Sequence, residues 1–276
     1  MLVNLNQVLA DAQKRHYAVG LFNTIDTDML QAAIDAAEAL RSPIIIGTAE
    51  ILLPYGELSL IAPSILAAAR RARVPVVVHY DHGLTFQRCM EALRLGFSSV
   101  MFDGSSKPYA ENAAQTREIV KIAHAFGASV EGEIGHVGNA DEPESAKRYT
   151  TVEEARRYLA DTQADALAIA VGTAHGRYKS APVLSFSRIA EIRAAVDTPL
   201  VLHGGSGLSD EDFRQAIQNG VAKINIFTAL CQAGMEACAA ALSEGRDYLS
   251  ARTLRYEAMR AAVERNMRLF GSAGKA

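Results

Sequence analysis

The stretch VPVVVHYDHG, residues 74–83, starts like a buried strand and ends in polar and charged side chains. Its apolar part is continuous rather than alternating, which is typical of a parallel strand covered by helices on both faces. Such a strand has no structural need for an aspartate flanked by histidines at its carboxyl end. Either Asp81 and His82 belong to a functional site, or they are held in a buried structural network.

Similar apolar runs recur along the chain. There are seven more, at 18–23, 43–49, 99–105, 129–135, 166–173, 199–206 and 221–228. Between them lie amphipathic segments, such as 26–40 and 111–126, whose apolar residues recur three and four positions apart as on one helix face. Eight strand and helix units predict an α/β fold, a (β/α)8 TIM barrel, with residues 1–276 forming a single domain. A doubly wound open sheet is the alternative. The eight units are similar in length and no second domain is recognisable, which favours the closed barrel.

Two extra helices are predicted outside these units. The segment 4–15 is expected to cap the floor of the barrel. The segment 251–269 is expected to pack on the outside of the barrel or on a partner subunit.

Composition disfavours several classes of protein. Hydrophobic residues make up 49% of the 276 residues and charged residues 21%, which suits a large core and disfavours disorder. The 28 basic and 31 acidic residues give a net charge of −3, without the basic stripe of a nucleic-acid-binding protein. No apolar run approaches the roughly 18 residues of a membrane span, and no signal peptide is recognisable. Three scattered cysteines without a CxxC pair are typical of a reducing compartment, so we expect a cytoplasmic protein whose metals are held by histidines and carboxylates.

Histidines follow three of the predicted strands at corresponding positions: His82, His175 and His203. Because the carboxyl ends of the strands converge on one side of a barrel, these side chains are expected to meet. Three imidazoles with one open position are a catalytic zinc arrangement. For any single histidine a hydrogen-bonded structural role is the alternative. That structural role is the one expected for His16, His79, His124 and His136.

Glycine-rich ends of the last two predicted strands indicate a phosphate site. The motifs HGGSG, 203–207, and NIFT, 225–228, lie where TIM barrels often bind phosphate through backbone N–H groups and a helix N-terminus. Ser206 and Thr228 add hydroxyl groups to this region. Lys179 is either a phosphate ligand or a solvated surface lysine.

The polar segment HVGNADEPESAKRYT, 136–150, follows the fifth predicted strand. It is either an ordinary solvated loop or a mobile lid over the barrel mouth. Its length and position favour the lid.

Taken together and in order, these motifs resemble those of the class II, zinc-dependent ketose-bisphosphate aldolases, the family of fructose- and tagatose-bisphosphate aldolases. The resemblance covers nearly the whole chain, through the pieces AVGLFN, VVVHYDHG, SVMFDGS, VEGEIGHVG, VGTAHGRY, LVLHGGSG, KINIFT and LFGSAGKA. It implies a lyase that reversibly cleaves a ketose 1-phosphate or 1,6-bisphosphate to dihydroxyacetone phosphate and an aldehyde. It also implies bound Zn²⁺, a monovalent cation (Na⁺ or K⁺) beside the phosphate, and a homodimer or homotetramer.

The resemblance implies roles for individual residues. Asp81 matches the acid/base carboxylate, and a lid glutamate is a second acid/base, for which Glu142 is ranked before Asp141. The implied metal ligands are His82, His175 and His203, with Glu133 at a second or displaced metal position and Asp103 beside it. The implied substrate-binding residues are Gly176, Gly204, Gly205, Ser206, Asn225, Ile226, Phe227 and Thr228.

Departures from the family pattern concern the aldehyde half of the substrate. Phe227 stands where fructose-bisphosphate enzymes often have an aspartate. In the family, a basic residue from a neighbouring subunit typically grips the second phosphate. The candidates here are Arg252, Arg255 and Arg260, none of which lies in a matching motif, and the alternative for them is a solvated helix face. A ketose 1-phosphate with a non-phosphorylated aldehyde half is therefore an alternative substrate. A metal-dependent isomerase or epimerase and a non-catalytic sugar-phosphate-binding protein are less favoured, since Asp81 is kept beside three ligands.

Overall fold

The computed structural model describes residues 1–138, 149–176, 178 and 181–276 and shows parallel strands surrounded by helices. The strands are β1 (Leu2–Val3), β2 (Val19–Asn23), β3 (Ile44–Ala49), β4 (Val76–Gly83), β5 (Ser99–Phe102), β6 (Ser129–Ile134), β7 (Ala166–Ile169), β8 (Leu200–Leu202) and β9 (Val221–Ile226). The helices are α1 (Leu5–Lys14), α2 (Thr27–Leu40), α3 (Leu58–Arg71), α4 (Phe86–Leu95), α5 (Tyr109–Ala125), α6 (Val152–Thr162), α7 (Phe186–Ala195), α8 (Asp210–Gln218), α9 (Thr228–Ser243) and α10 (Tyr248–Leu269), with a 3-10 helix at Glu50–Tyr55. Within these described ranges, no helix has both the length and the hydropathy needed to cross a bilayer.

Pairing between β4 and β5 closes the barrel. The described strands are neighbours in the order β4, β3, β2, β9, β8, β7, β6, β5, all pairings are parallel, and β5 returns to β4. The predicted (β/α)8 TIM barrel is confirmed, and each of the eight predicted runs contains a strand. An open doubly wound sheet is excluded, because it would leave two unpaired edges. The sequence analysis missed β1, whose two residues pair with the start of β4 through Leu2 and Val76 and are too few to form a recognisable run.

The helix α1 packs at the amino-terminal end of the barrel, as predicted for a floor helix. A capping box starts it: Asn4 accepts from the N–H of Gln7, whose side chain accepts from the N–H of Asn4. Its buried face packs against apolar side chains of the barrel interior. This cluster contains Leu5, Val8, Leu9, Ala12, Tyr17, Val19, Leu21, Ile45, Val77, Ala166, Ala168, Val201 and Ala222. The amino-terminal end of the barrel is therefore filled by apolar side chains, and a polar functional site is expected at the carboxyl ends of the strands.

The opposite faces of the strands pack under the surrounding helices. Ile44, Ile46, Val76 and Val78 of β3 and β4 are fully buried in this outer layer. Because both faces of each strand are buried, the runs are apolar throughout and stand out in the sequence.

The helix α10 packs on the outside of the barrel against α2 and α9. Arg252 and Arg255 form ion pairs with Asp28 of α2 at 2.6 and 2.5 Å. Arg260 pairs with Glu264 one turn further along α10, at 3.0 Å. All three arginines are thus bound to carboxylates of their own chain, which agrees with a helix-face role better than with a phosphate-binding one.

Candidate metal centre and active site

At its carboxyl end, β4 departs from regular alternation so that two neighbouring residues reach the same pocket. His79 and Asp81 are two positions apart and point into the barrel, so a regular strand would turn His82 outward. His82 instead has a left-handed φ of 45°, and the pairing of β4 with β5 shifts in register between Tyr80 and Gly83. Asp81 and His82 therefore both line the pocket. A left-handed backbone at a non-glycine residue is strained, and such strain is concentrated at functional sites.

The three predicted histidines meet at this pocket. His82 lies in β4, His203 directly follows β8, and His175 lies in the segment after β7. One ring nitrogen of each lies within 4.8 Å of the others, and His82 Nε2 is 2.7 Å from His203 Nδ1. Three converging imidazole nitrogens from rigid strand ends are the donor set of a metal centre.

The second ring nitrogen of each histidine has an acceptor in the protein. A fixed N–H on one nitrogen leaves the other as a free ligand atom and holds the ring in place, which is how metal-binding histidines are usually oriented. The partners are Asp103 Oδ2 for His82 Nδ1 at 2.7 Å, Glu131 Oε1 for His203 Nε2 at 2.7 Å, and the Val137 carbonyl for His175 Nδ1 at 3.1 Å.

Charges around the rings favour a cation at their centre. Burial lowers the pKa of His82, but the charge of Asp81 and the hydrogen bond to Asp103 outweigh burial and raise this pKa to about 10. Burial and the charge on His82 lower the pKa of His175 to about 3 and also lower that of His203. One positive charge is thus favoured beside neutral rings, and neutral imidazole is the form that binds a metal.

A second candidate ligand group shares His82 and adds Asp103 and Glu133. Glu133 is fully buried, and its Oε1 accepts from the N–H of Val137 at 3.0 Å. Burial and the nearby charge of Asp103 raise the pKa of Glu133 to about 8. The raised pKa favours the neutral form of the Glu133 carboxyl group beside Asp103, and a cation bound between the two would favour its ionised form. The second or displaced metal position that the resemblance implies for Glu133 stays a prediction.

Asp81 is fixed beside the histidines by two side-chain amides. Asn23 Nδ2 donates to Asp81 Oδ2 at 2.7 Å, and Asn225 Nδ2 donates to Asp81 Oδ1 at 3.1 Å. Burial raises the pKa of Asp81, but the positive charges of His82 and Lys223 outweigh it and hold this pKa well below its usual range. The carboxylate is therefore ionised and fixed in orientation, and it offers a bound substrate acceptor oxygens only.

The pocket beside Asp81 has a volume of about 340 Å³ and a rim of glycines and hydroxyl groups. The helix α9 begins at this rim with Thr228. Ser206 Oγ accepts from the N–H groups of Phe227 and Ala229 at 3.3 and 3.2 Å, which leaves its own proton free to donate. A helix N-terminus with neighbouring hydroxyls favours an anion, so the rim fits the predicted phosphate site.

Comparison with known proteins identifies the family. The chain matches the family model "Fructose-bisphosphate aldolase class-II" over residues 3–275. It belongs to the class II fructose-bisphosphate aldolase family. It is 42% identical to a 6-phospho-5-dehydro-2-deoxy-D-gluconate aldolase of Shouchella clausii, over 99% of this chain and 96% of the relative. It is 37% identical to a fructose-bisphosphate aldolase of Thermus caldophilus, over the whole of both chains.

A solved structure in the class II aldolase family has the same architecture. The crystal structure of the YdjI aldolase from Escherichia coli K12 aligns with a TM-score of 0.92 and 36% sequence identity, over the whole of both chains. The TIM barrel and its terminal helices are therefore shared with a relative determined by experiment.

In this member of the class II aldolase family, the predicted substrate-binding residues fall into three groups. Those that line the pocket are Gly176, Gly204, Ser206, Asn225, Ile226, Phe227 and Thr228. The side chain of Ile226 also packs in the outer core, so its backbone is the part available to a ligand. Gly205 is not among the lining residues; its N–H donates to the Asn225 carbonyl at 3.2 Å and holds two loops together. Lys179, Asp141, Glu142 and most of the predicted lid lie outside the described residues.

Two polar residues of the aldolase barrel were missed as site residues. Asn23 ends β2 and holds Asp81, and Lys223 lies in β9, completely buried, 2.8 Å from Glu131 Oε2. The sequence did contain a sign of both residues, because an asparagine and a lysine stand out in otherwise apolar strands. The sequence does not show, however, whether such a polar side chain faces the barrel interior or which residues it contacts there.

Two histidines given structural roles from the sequence also lie close to the site. His136 lines the pocket, with Nδ1 2.9 Å from Ser105 Oγ. His79 is fully buried inside the barrel, with Nδ1 2.7 Å from Ser99 Oγ and Nε2 3.8 Å from Asp81 Oδ1. Burial lowers the pKa of His79 to about 3, so its ring is neutral there. His79 is therefore a buried ring among polar side chains inside the barrel, which agrees with the structural role expected for it.

Part of the pocket wall is apolar. Ala49, Ile51, Leu52, Leu84 and Phe227 form it, and no lysine or arginine of the described ranges lines this pocket. Ile51 and Leu84 are 76% and 51% exposed, so much of their surface is open to a ligand or to another covering group. This part of the pocket offers contacts to uncharged groups.

Substituting Gly204 with alanine is expected to disrupt the turn that follows His203. Gly204 has a φ of 66°, and a Cβ there would clash with the carbonyl group of Ala174, beside His175. Separating the two segments should lower the free energy of unfolding by roughly 2 kcal/mol or more and weaken metal binding. Urea unfolding and a metal titration measure both effects.

Gly127 provides the matched control for this substitution. It has a φ of 72°, but no atom lies within 4 Å of the position of its Cβ. Gly127→Ala should therefore cost about 1 kcal/mol through backbone strain alone and leave metal affinity unchanged. Equal losses of metal affinity in both variants would contradict an effect of crowding at Gly204.

Proposed function

We propose that this chain is a zinc-dependent aldolase that reversibly cleaves a ketose 1-phosphate or 1,6-bisphosphate to dihydroxyacetone phosphate and an aldehyde. The observation that carries the proposal is the carboxylate of Asp81, buried and fixed by two amides directly beside three converging histidine nitrogens. An isomerase or epimerase working through the same enediolate chemistry remains the second candidate, and membership of the aldolase family favours the first.

The donor set fits zinc. Three imidazole nitrogens with an open side toward a pocket are the ligands of catalytic zinc rather than of magnesium or calcium, which prefer oxygen. When bound by His82, His175 and His203, zinc would supply Lewis-acid stabilisation of negative charge on the ketone and hydroxyl oxygens. The protein groups described below hold the substrate and move its protons.

The glycine and hydroxyl rim would hold the phosphate of the dihydroxyacetone phosphate half. Ser206 and Thr228 supply hydroxyls, and the start of α9 supplies the positive end of a helix dipole. A monovalent cation beside this phosphate, implied by the family, stays a prediction. Anchoring the phosphate at the rim would direct the ketone toward the histidines.

Asp81 would transfer the proton at the aldehyde half. During cleavage its carboxylate takes the proton of the C4 hydroxyl, and the C4 oxygen becomes the aldehyde carbonyl as the bond between C3 and C4 breaks. The electron pair of that bond passes to the dihydroxyacetone phosphate half, which leaves as its enediolate. In the synthetic direction Asp81 returns the proton to the aldehyde oxygen. The proton exchanged at C3 requires a second acid/base, for which Glu142 of the lid stays a prediction.

The apolar wall supports the alternative substrate with a non-phosphorylated aldehyde half. A terminal phosphate would lie beside Ile51, Leu84 or Phe227 without a described cation of this chain to meet it. The gluconate that gives the Shouchella clausii relative its name carries a carboxylate where a bisphosphate carries a phosphate. The aldehyde half is therefore the part of the substrate to be tested by experiment.

An acceptor screen tests the function and the substrate class together. The zinc-loaded protein is incubated with dihydroxyacetone phosphate and, separately, lactaldehyde, 3-oxopropanoate or glyceraldehyde 3-phosphate, and kcat/KM for condensation is measured. We expect condensation, with lactaldehyde preferred to glyceraldehyde 3-phosphate by about tenfold or more, because no described cation lines the pocket to meet a terminal phosphate. A preference for glyceraldehyde 3-phosphate would instead assign a 1,6-bisphosphate as the substrate. Isomerisation of the triose phosphate without any condensation would favour the isomerase function.

Self-association into a homodimer or homotetramer also stays a prediction. The outer surface of α9 and the start of α10 expose several large apolar side chains, which supports an interface there. They are Met235, Leu242, Tyr248 and Leu249, each between 68% and 77% exposed in the isolated chain. Sedimentation of the protein at micromolar concentration tests this prediction.

A further inference from the structure

Lys223 is a buried cation for which the proposed reaction has no use. Its side chain is completely buried in β9, inside the barrel. Lys223 Nζ lies 2.8 Å from Glu131 Oε2 and donates to Asn225 Oδ1 at 2.7 Å. Glu131 also accepts from His203, and Asn225 also donates to Asp81. One ammonium group therefore contacts both the residue that orients a metal ligand and the residue that holds the acid/base.

The ammonium group determines which way the Asn225 amide faces. A lysine ammonium has donors and no acceptor, so only the amide oxygen of Asn225 can face Lys223. The amide nitrogen is then turned toward Asp81, whose ionised carboxylate has only acceptors. If the amide rotated by half a turn, its oxygen would face the Asp81 carboxylate and repel it.

Glu131 keeps the charge of Lys223 balanced inside the barrel. A single buried ion without its partner is strongly destabilising, whereas removing both partners together is far less so. The pair therefore allows a cation to be placed against Asn225 without leaving net charge in the interior.

We propose that Lys223 is a positioning residue that locks the Asn225 amide and, through that amide, the Asp81 carboxylate in the orientation needed for proton transfer. This inference rests on the proposed aldolase function. It assigns to Lys223 no contact with the substrate and no role in binding the metal.

The test removes the ammonium without unbalancing charge. In a Glu131→Gln background, whose amide oxygen can still accept from His203 Nε2, Lys223 is replaced by Met or by Gln. These two side chains are similar in size, and only glutamine can donate to Asn225 Oδ1. Both variants keep the interior charge of the wild-type pair, so a difference between them reports the donor.

We expect the Met variant to lose about 10²-fold in kcat for cleavage relative to the wild-type protein, the scale of a misplaced catalytic group. The Gln variant should recover about tenfold of this loss, while KM stays within about threefold in both. Affinity for Co²⁺ and the visible spectrum of the Co²⁺-loaded protein should be unchanged between Met and Gln. Equal activity of the two variants, or a matching change in Co²⁺ affinity, would overturn the proposal.

A double-mutant cycle adds a readout that a purely structural role would not give. Asn225→Ala is introduced into both the Met and the Gln variant, so that Glu131→Gln is common to the two. If Lys223 acts through Asn225, their kcat values should then differ by no more than about threefold, whereas an independent effect of position 223 would keep the tenfold difference. Failure of the aldolase proposal itself is distinguishable, since the wild-type protein would then show no condensation at all.

Discussion

Asp81→Ala is expected to lower kcat for aldol cleavage by roughly 10²–10⁴-fold, the usual contribution of a general acid or base. Zinc content at saturating metal should remain at the wild-type level, because Asp81 is outside the set of three converging nitrogens. The variant removes the acceptor for the C4 hydroxyl proton and leaves two amides without a partner. Steady-state cleavage kinetics combined with metal analysis of the same samples measures both quantities.

Asp103→Ala is the contrasting variant. Asp103 accepts from His82 Nδ1 at 2.7 Å and so orients a ligand ring. Its loss should weaken zinc binding by about 10–100-fold, with much of the activity recovered at high zinc concentration. Cleavage near the wild-type rate in Asp81→Ala would refute the acid/base role. Loss of zinc from Asp81→Ala would assign its carboxylate to the metal centre instead.

Removing the metal is expected to reduce aldol cleavage to less than about 1% of the starting rate, because stabilising charge on the ketone oxygen is the largest requirement of the reaction. Dialysis against a chelator followed by stepwise addition of Zn²⁺ should restore activity at one ion per chain. Mg²⁺ should restore little, since His82, His175 and His203 offer nitrogen rather than oxygen ligands. The rate as a function of added metal is the measurement.

Borohydride treatment in the presence of substrate provides the control for metal dependence. A Schiff-base aldolase would form a stable adduct on a lysine, detectable by mass spectrometry. No lysine of the described ranges lines the pocket, and Lys223 is tied to Glu131 and Asn225. We therefore expect no adduct. Full activity of the metal-free protein, or a lysine adduct, would overturn the metal-dependent mechanism.

The barrel could be predicted because its strands and helices have the hydrophobic patterns that their positions in the fold require. Strands buried on both faces must be apolar throughout, and helices on their outer side must be amphipathic, so both patterns are visible in the sequence. The exception is β1, where two residues pair with Val76 of β4 and leave no periodic signal. The floor helix α1 was also visible, since its apolar face and capping box are local features.

The candidate site was predictable only in part. His82 lies near the carboxyl end of a strand, His175 and His203 come after strands, and the carboxyl ends of the strands must converge. The orientation of Asp81 was not predictable, because it depends on Asn23 and Asn225 from strands far away in sequence. Nor do residue types reveal which nitrogen of each histidine is free.

Strand periodicity and the residue types at strand ends were enough to predict the barrel, the three histidines and the carboxylate beside the first of them. The three-dimensional fold places Asp81 and His82 in one pocket, since this requires a left-handed φ at His82 and a register shift between β4 and β5. It also decided the position of Lys223 between Glu131 and Asn225. The physical reason is that these contacts join strands across a closed barrel, where the register of pairing sets which side chains become neighbours.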